Sequence, residues 1–219
     1  MPVRKIRPNY RSTTASVSTN KMNRPVGAES SLERDFLVIL DFDVNVLRFE
    51  EQPLTIEFED EKSCLHRYTP DFLVYYRADI VPAQSMKPLL CEIKYRKDLF
   101  ANWKILKPKF KAARAFAKEN EWEFRIITEH EIRTPYLKNA KFLRPFRNQP
   151  TNWEYFEILT GMLNEFRVAT PQAILAAYSD DKLKQAEILP SLWQMVANRI
   201  VKTDLTVLLT MRSEIWSAD

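Results

Sequence analysis

Two stretches decide how this chain reads: RYTPDFLVYY at 67–76 and PLLCEIKYRK at 88–97. Both have the aliphatic and aromatic content of buried strands, yet the first holds Asp71 near its start and the second holds Glu92 and Lys94. Side chains alternate along a strand, so Glu92 and Lys94 share one face while Cys91, Ile93 and Tyr95 take the other. An unpaired charge in an apolar layer is expensive, so these groups must compensate one another or bind something. A salt bridge between Glu92 and Lys94 is the plain solution. Asp71 and Glu92 as neighbours, however, are like charges in an apolar setting, which raises a carboxyl pKa unless a cation sits between them. Mg²⁺ supplies such a cation, since it prefers oxygen ligands and takes one or two carboxylates with several waters; Mn²⁺ is expected to substitute. On this reading Asp71, Glu92 and the backbone carbonyl of Ile93 hold the ion, and Lys94 stands beside it to orient a water or offset charge growing on a phosphate.

Outward from these stretches, GAESSLERDFLVILDF (27–42) has Leu32, Phe36, Ile39 and Leu40 at helical spacing with Ser30 placed to cap the start. VNVLRFEEQPLTIEFED (44–60) predicts two short strands broken at Pro53, and 66–78 predicts one strand. Residues 103–120 form a basic amphipathic helix that Pro108 must kink or restart, and EWEFRIITE (121–129) is a further strand. The order helix, strands, helix, strand describes an α/β layer with a mixed sheet. Composition shifts near Pro145 and Pro150, which predicts a linker. Beyond it come helices at about 153–166, from Thr170 and Pro171, and at about 183–198, then strand-like runs, the pattern of a winged-helix-like α+β domain. Expected domains are a basic arm at 1–28, a catalytic domain at 29–148 and the C-terminal domain at 149–219.

Composition narrows the function classes. Of 219 residues, 45% are hydrophobic and 28% charged, as in ordinary globular chains. No apolar run is long enough to cross a bilayer and the N-terminus lacks an apolar h-region, so a cytoplasmic location is expected. The two glycines, Gly27 and Gly161, exclude a glycine-rich phosphate cradle. Cys64, Cys91, His66 and His130 lack the spacing of a zinc module and read as reduced thiols and ordinary imidazoles. Net charge is +4, while residues 1–28 carry Arg4, Lys5, Arg7, Arg11, Lys21 and Arg24 with no acid. Such an arm on a near-neutral body suits either a solvated tail or a segment that follows nucleic acid.

The string Pro70-Asp71, then Glu92-x-Lys94, resembles the PD-(D/E)XK nuclease superfamily, set between an acid-bearing helix and a basic one. Glu33 matches the extra acid that many members use as a metal ligand; Ser30-x-x-Glu33 is also a capping box, and the other three residues favour the metal role. Residues 30–56, then TPDFL (69–73), EIKYR (92–96) and ITEHEIRTPYLKN (127–139), look like TnsA, the endonuclease subunit of heteromeric transposons. EQPL at 51–54 and the T-E-x-E-I of 128–132 carry the narrower match. The chain departs from some relatives in having Glu92 where glutamine can occur, and Ala112-Ala113 where a helix acid can appear.

The resemblance implies a restriction-endonuclease-like fold with Glu33, Asp71, Glu92 and Lys94 as catalytic residues, cutting the 5′-strand at transposon ends. A TnsB-type transposase would cut and join the 3′-strand, and the C-terminal domain would contact that partner, a TnsC-type ATPase regulator or DNA. The short length points to the compact form used with an RNA-guided targeting complex. Lys104, Lys107, Lys109, Lys111 and Arg114 on the following helix either contact DNA phosphates or form a solvated face. Two rivals stand beside this reading: a self-sufficient restriction or repair nuclease, and a DNA-binding adaptor whose charges are only a buried salt-bridge cluster.

Overall fold

A computed structural model describes residues 15–217 apart from 18, 20, 23, 61 and 62. It divides into two compact units, Met1–Arg133 and Thr134–Asp219.

The first unit begins with a pair of antiparallel strands, β1 (Ala15–Val17) and β2 (Val26–Ala28). Helix α1 (Ser31–Phe42) follows; Ser30 Oγ accepts the Glu33 amide at 3.1 Å, and Leu32, Phe36, Leu37 and Leu40 are buried along it. Next come β3 (Val46–Glu51), β4 (Ile56–Glu59), β5 (Leu65–Tyr68), β6 (Phe72–Tyr76) and β7 (Leu89–Ile93). Helix α2 (Arg96–Glu119), β8 (Glu123–Ile127) and the single turn α3 (Glu129–Ile132) complete the unit. The central sheet has the order β3-β6-β7-β8, antiparallel except for the parallel β7-β8 pair. It is therefore mixed, as expected from the sequence.

Two faces of the sheet are apolar for different reasons. Phe72 meets Phe36 of α1 and Phe49 of β3, with ring centroids 5.7 and 6.5 Å apart. On the other face Leu73 and Leu90 pack with Phe110, Ala113 and Ala117 of α2 and with Ile56 and Tyr68 of the β4-β5 ladder. The single strand expected over 66–78 is two strands with different partners, β5 on β4 and β6 on β3. Pro70 lies between them and has no N–H to give a ladder. Helix α2 starts earlier than expected and continues through Pro108, which removes one amide from the helix without ending it.

The second unit contains α4 (Pro135–Arg147), α5 (Trp153–Phe166), the two-residue strand β9 (Val168–Ala169), α6 (Pro171–Tyr178), α7 (Lys182–Ala197), β10 (Val201–Thr203) and β11 (Ile215–Ser217). Thr170 caps α6, accepting the Ala173 amide at 3.1 Å. The strands form one antiparallel sheet of order β10-β11-β9. Sequence patterning missed β9 because two residues carry no periodicity.

Two expected boundaries move. Helix α4, assigned from sequence to the first domain, belongs to the second unit. Its Leu137, Ala140 and Leu143 are buried, and Asn139 Nδ2 donates to the carbonyls of Leu205 at 2.9 Å and Val207 at 2.7 Å, while Oδ1 accepts the Leu209 amide at 2.9 Å. That side chain therefore ties α4 to the segment joining β10 and β11. The basic arm is also shorter than 1–28. Lys21 Nζ donates to the carbonyls of Leu40 (2.8 Å) and Asp43 at the α1 C-terminus, which has no basic residue of its own in its last turn. Arg24 pairs with buried Glu51 at 2.6 Å, and Gly27 N donates to the same carboxylate at 2.8 Å. These two cations hold the fold together; Arg4, Lys5, Arg7 and Arg11 lie outside the described residues.

Candidate active site

The site forms where β6 begins and its antiparallel neighbour β7 ends. Their register pairs Phe72 with Cys91, and one step further sets Asp71 opposite Glu92. Directly opposed residues of an antiparallel pair are cross-strand neighbours on one face. Asp71 Oδ2 accepts the backbone amide of Ile93 at 2.7 Å. Glu92 is only 4% exposed, and its two oxygens have different partners: Lys94 Nζ lies 3.0 Å from Oε1, and the Tyr68 hydroxyl donates to Oε2 at 2.7 Å. Asp71, Glu92, Ile93 and Lys94 are thus brought together.

Electrostatics agree with that crowding. Burial, then the charge of Glu92, pushes the Asp71 carboxyl well above the usual aspartate range, opposed by Lys94 and the Ile93 amide. Lys94 is held above its ordinary value because the attraction of Asp71 and Glu92 outweighs its burial. The thiol of Cys91, on the opposite side of β7, is pushed up by complete burial and by the same two acids, so it is an inert core thiol. Cys64 is exposed and likewise unbridged.

Glu33 reaches the site from the start of α1 and is felt electrostatically by both Asp71 and Lys94. Its own carboxyl is raised chiefly by burial. Both its oxygens cap the helix: Oε1 accepts from Ser30 Oγ at 2.9 Å and Oε2 from the Glu29 amide at 2.8 Å. Among the described residues no three His, Cys, Asp or Glu side chains are gathered closely enough to hold a metal ion. Glu33 is thus a helix cap that stands beside the acid pair.

Sequence reasoning missed two contributors. Tyr68 comes from β5, outside the central sheet, and its only sequence signal is an aromatic residue three positions before Asp71. Arg133 donates to Asp35 at 3.1 Å, to the Tyr95 hydroxyl at 3.0 Å and to Ser31 Oγ at 3.3 Å. This network ties the start of α1 to the residue that follows Lys94.

The expected DNA-contacting residues all lie on α2. Lys104, Lys107, Lys111 and Arg114 are exposed, and their spacing of three and four residues aligns them in one stripe. Lys109 is half-buried and falls outside that stripe.

The core is thus a mixed α/β sheet with two carboxylates and a lysine gathered at the ends of adjacent strands. The chain belongs to the TnsA endonuclease family: the model for the TnsA-like endonuclease N terminal matches residues 43–129, and that for the TnsA endonuclease C terminal matches 131–205. The junction between the matches falls close to the division of the two units. The N-terminal match spans Asp71, Glu92 and Lys94 and begins after Glu33. No curated protein matches the chain. Family membership makes it an endonuclease of the transposon type.

Proposed function

We propose that this protein hydrolyses the 5′-strand phosphodiester at transposon ends in a Mg²⁺-dependent reaction, acting with a TnsB-type transposase in cut-and-paste transposition. One observation carries the reading: Asp71 and Glu92 are cross-strand neighbours in a buried setting that raises the Asp71 pKa, with Lys94 beside them. Two carboxylates driven together against their mutual repulsion fit a divalent cation, which would relieve the penalty that burial imposes. Asp71 Oδ1 accepts no hydrogen bond among the described residues, which leaves an oxygen for that role. Asp71, Glu92 and the Ile93 carbonyl would hold the ion; when bound, it supplies Lewis-acid activation of water and neutralises charge on the phosphate.

The chain's own groups do the positioning. Lys94, half-exposed and kept cationic by its acid neighbours, offers Nζ to the attacking water or to a phosphate oxygen. Tyr68 fixes one oxygen of Glu92 and leaves Oε1 facing Lys94. The stripe Lys104, Lys107, Lys111 and Arg114 would follow backbone phosphates, which orient DNA without reading its sequence. Sequence choice then falls to the partner transposase. The second unit, with the order helix, strand, helix, helix, strand, strand over 153–217, supports a winged-helix-type module. Its α7 is buried over most of its C-terminal half, which favours a protein partner, a TnsB-type transposase or TnsC-type regulator, over groove insertion.

A second reading has a specific observation in its favour. Glu92 is satisfied without any metal, by Tyr68 and Lys94, as expected of an inactive adaptor. The test is a plasmid carrying transposon ends, incubated with the partner transposase, Mg²⁺ and either wild type or Asp71→Ala. Loss of 5′-strand cleavage in the variant, with a circular dichroism spectrum like wild type, supports the enzyme. Undiminished cleavage by Asp71→Ala overturns it, and cutting by wild type alone favours a self-sufficient nuclease.

A further inference from the structure

A cleft of ≈ 510 Å³ opens between the start of α2 and the end of β8. Its floor includes Ile126, which pairs with Glu92 in the parallel β7-β8 register. Adjacent strands run about 5 Å apart, so the cleft adjoins the catalytic acids. One wall is the first turns of α2, where Phe100 is 73% exposed and Trp103 46% exposed. Phe100 and Trp103 stand three residues apart on one helix and line the same cleft, so they form one contiguous exposed apolar patch of the kind that marks a binding surface. The polar rim is small: Arg96, whose guanidinium lies 5.8 Å from the Phe100 ring centre, with Thr128 and Glu131. Glu131 Oε2 accepts from the amide of Thr128 at 2.9 Å and from its hydroxyl at 2.5 Å, and its carboxyl is held below the usual range despite some burial, so it is an ionised acceptor.

The occupant follows from what surrounds the cleft. Around the cleft Arg96, Lys97, Lys104 and Lys107 of α2 outnumber the acids Asp98, Glu129 and Glu131 by one, and the cations are gathered on the α2 wall, which suits it to a polyanion. Its floor residue Ile126 is also the cross-strand neighbour of Glu92, which sets the cleft one strand from the centre that would engage a phosphodiester. Flat aromatic walls flanked by cations beside a phosphate site are the elements of a stacking platform for a nucleobase. We propose that this cleft takes the base of a nucleotide flanking the scissile phosphodiester, swung out of the DNA stack and laid against Phe100 and Trp103. Arg96 and Glu131 then offer one donor and one acceptor to its edge. Unstacking has an energetic cost, offset by the aromatic contact, and it draws the strand into the acid pair. The inference rests on the reading that Asp71 and Glu92 cut DNA.

The test uses the full chain assembled with the partner transposase on transposon-end DNA, in Ca²⁺. 5-Iododeoxyuridine replaces the nucleotide on either side of the 5′-strand cut, which is first located with wild type and Mg²⁺. Irradiation is expected to crosslink one of these positions to the peptide bearing Phe100 and Trp103, in wild type and in Asp71→Ala. The double variant Phe100→Ala/Trp103→Ala is expected to lose the crosslink and to bind the assembled end about tenfold more weakly. Ile105→Ala, at another exposed position of the same helix, should behave as wild type. A crosslink elsewhere, or unchanged DNA binding by the double variant, overturns the proposal while the cleavage reading stands. If the double variant instead fails to bind the transposase without DNA, the cleft seats a protein segment and the proposal fails. A wild-type protein that cuts no transposon end overturns the cleavage reading and this inference with it.

Discussion

The Tyr68 hydroxyl donates to Glu92 Oε2 at 2.7 Å, joining a strand outside the central sheet to the acid at its centre. Tyr68 is itself buried and stands edge-on to Phe110 of α2, with centroids 6.4 Å apart. The bond fixes the rotation of the Glu92 carboxylate, because its other oxygen faces Lys94. Removing the hydroxyl leaves a buried carboxylate oxygen short of a donor, which costs about 1–3 kcal/mol. Tyr68→Phe is expected to lower Tm by several degrees and to raise the Mg²⁺ concentration needed for half-maximal cleavage. A Mg²⁺ titration like that of wild type would show that Tyr68 has no positioning role.

Asp71 makes a pH prediction. Burial and the Glu92 charge raise its folded pKa above that of the unfolded chain. The folded state therefore holds this proton more tightly, so the contribution to stability is full below the ordinary aspartate value and is lost as pH rises through the folded pKa. In EDTA, Asp71→Asn should melt a few degrees above wild type at pH 7, and the gap should close toward pH 4. Mg²⁺ should raise the Tm of wild type and leave that of the variant unchanged. An Asn variant less stable than wild type in EDTA at pH 7 would contradict this account.

Arg24 neutralises Glu51, whose side chain is 6% exposed, through a contact of 2.6 Å. Arg24→Ala leaves that acid with the Gly27 amide but without its cation. Because Arg24 itself is partly exposed, solvent screening keeps the loss to about 1–2 kcal/mol. Urea unfolding should report a lower midpoint with an unchanged m-value, and Glu51→Gln introduced with Arg24→Ala should recover part of it.

Asn139 makes three hydrogen bonds to the segment between β10 and β11. Asn139→Ala strands two carbonyls and an amide, for a loss of about 2–4 kcal/mol in the second unit. Amide exchange at 205–209 is the measurement: protection there should fall before protection in the sheet containing β7. Unchanged protection would mean that the segment is held by other contacts.

The cations of α2 are tested by salt. If Lys107 and Lys111 each meet one phosphate, Lys107→Ala/Lys111→Ala should reduce the slope of log K against log salt by about 2. Binding should weaken about equally on all sequences. A slope that does not change would leave these residues as a solvated helix face.

Much of the site was legible because strand alternation is a local property: two residues apart along β7 means one face, so Glu92 and Lys94 had to meet. The apolar setting then required compensation for Asp71, and the helix-strand order framed both. Residue pattern alone also set the helix starts at Ser30 and Thr170, where a side-chain oxygen reaches an amide only a few positions away. What needed tertiary structure is every relationship across long separations. Tyr68 reaches Glu92 only because the chain changes sheets at Pro70, between β5 and β6, and β5 packs over the face of the central sheet. Lys21 and Arg24 look like free cations until α1 and β3 bring carbonyls and a buried acid to them, and α4 joins the second unit because Asn139 finds carbonyls more than sixty residues away. Glu33 illustrates the limit most plainly: its residue type and position suited both a helix cap and a metal ligand, and the choice rests on where its oxygens point once α1 is packed. Periodicity specifies which face a side chain takes, whereas its partner is set by register and packing, which no local stretch of chain encodes.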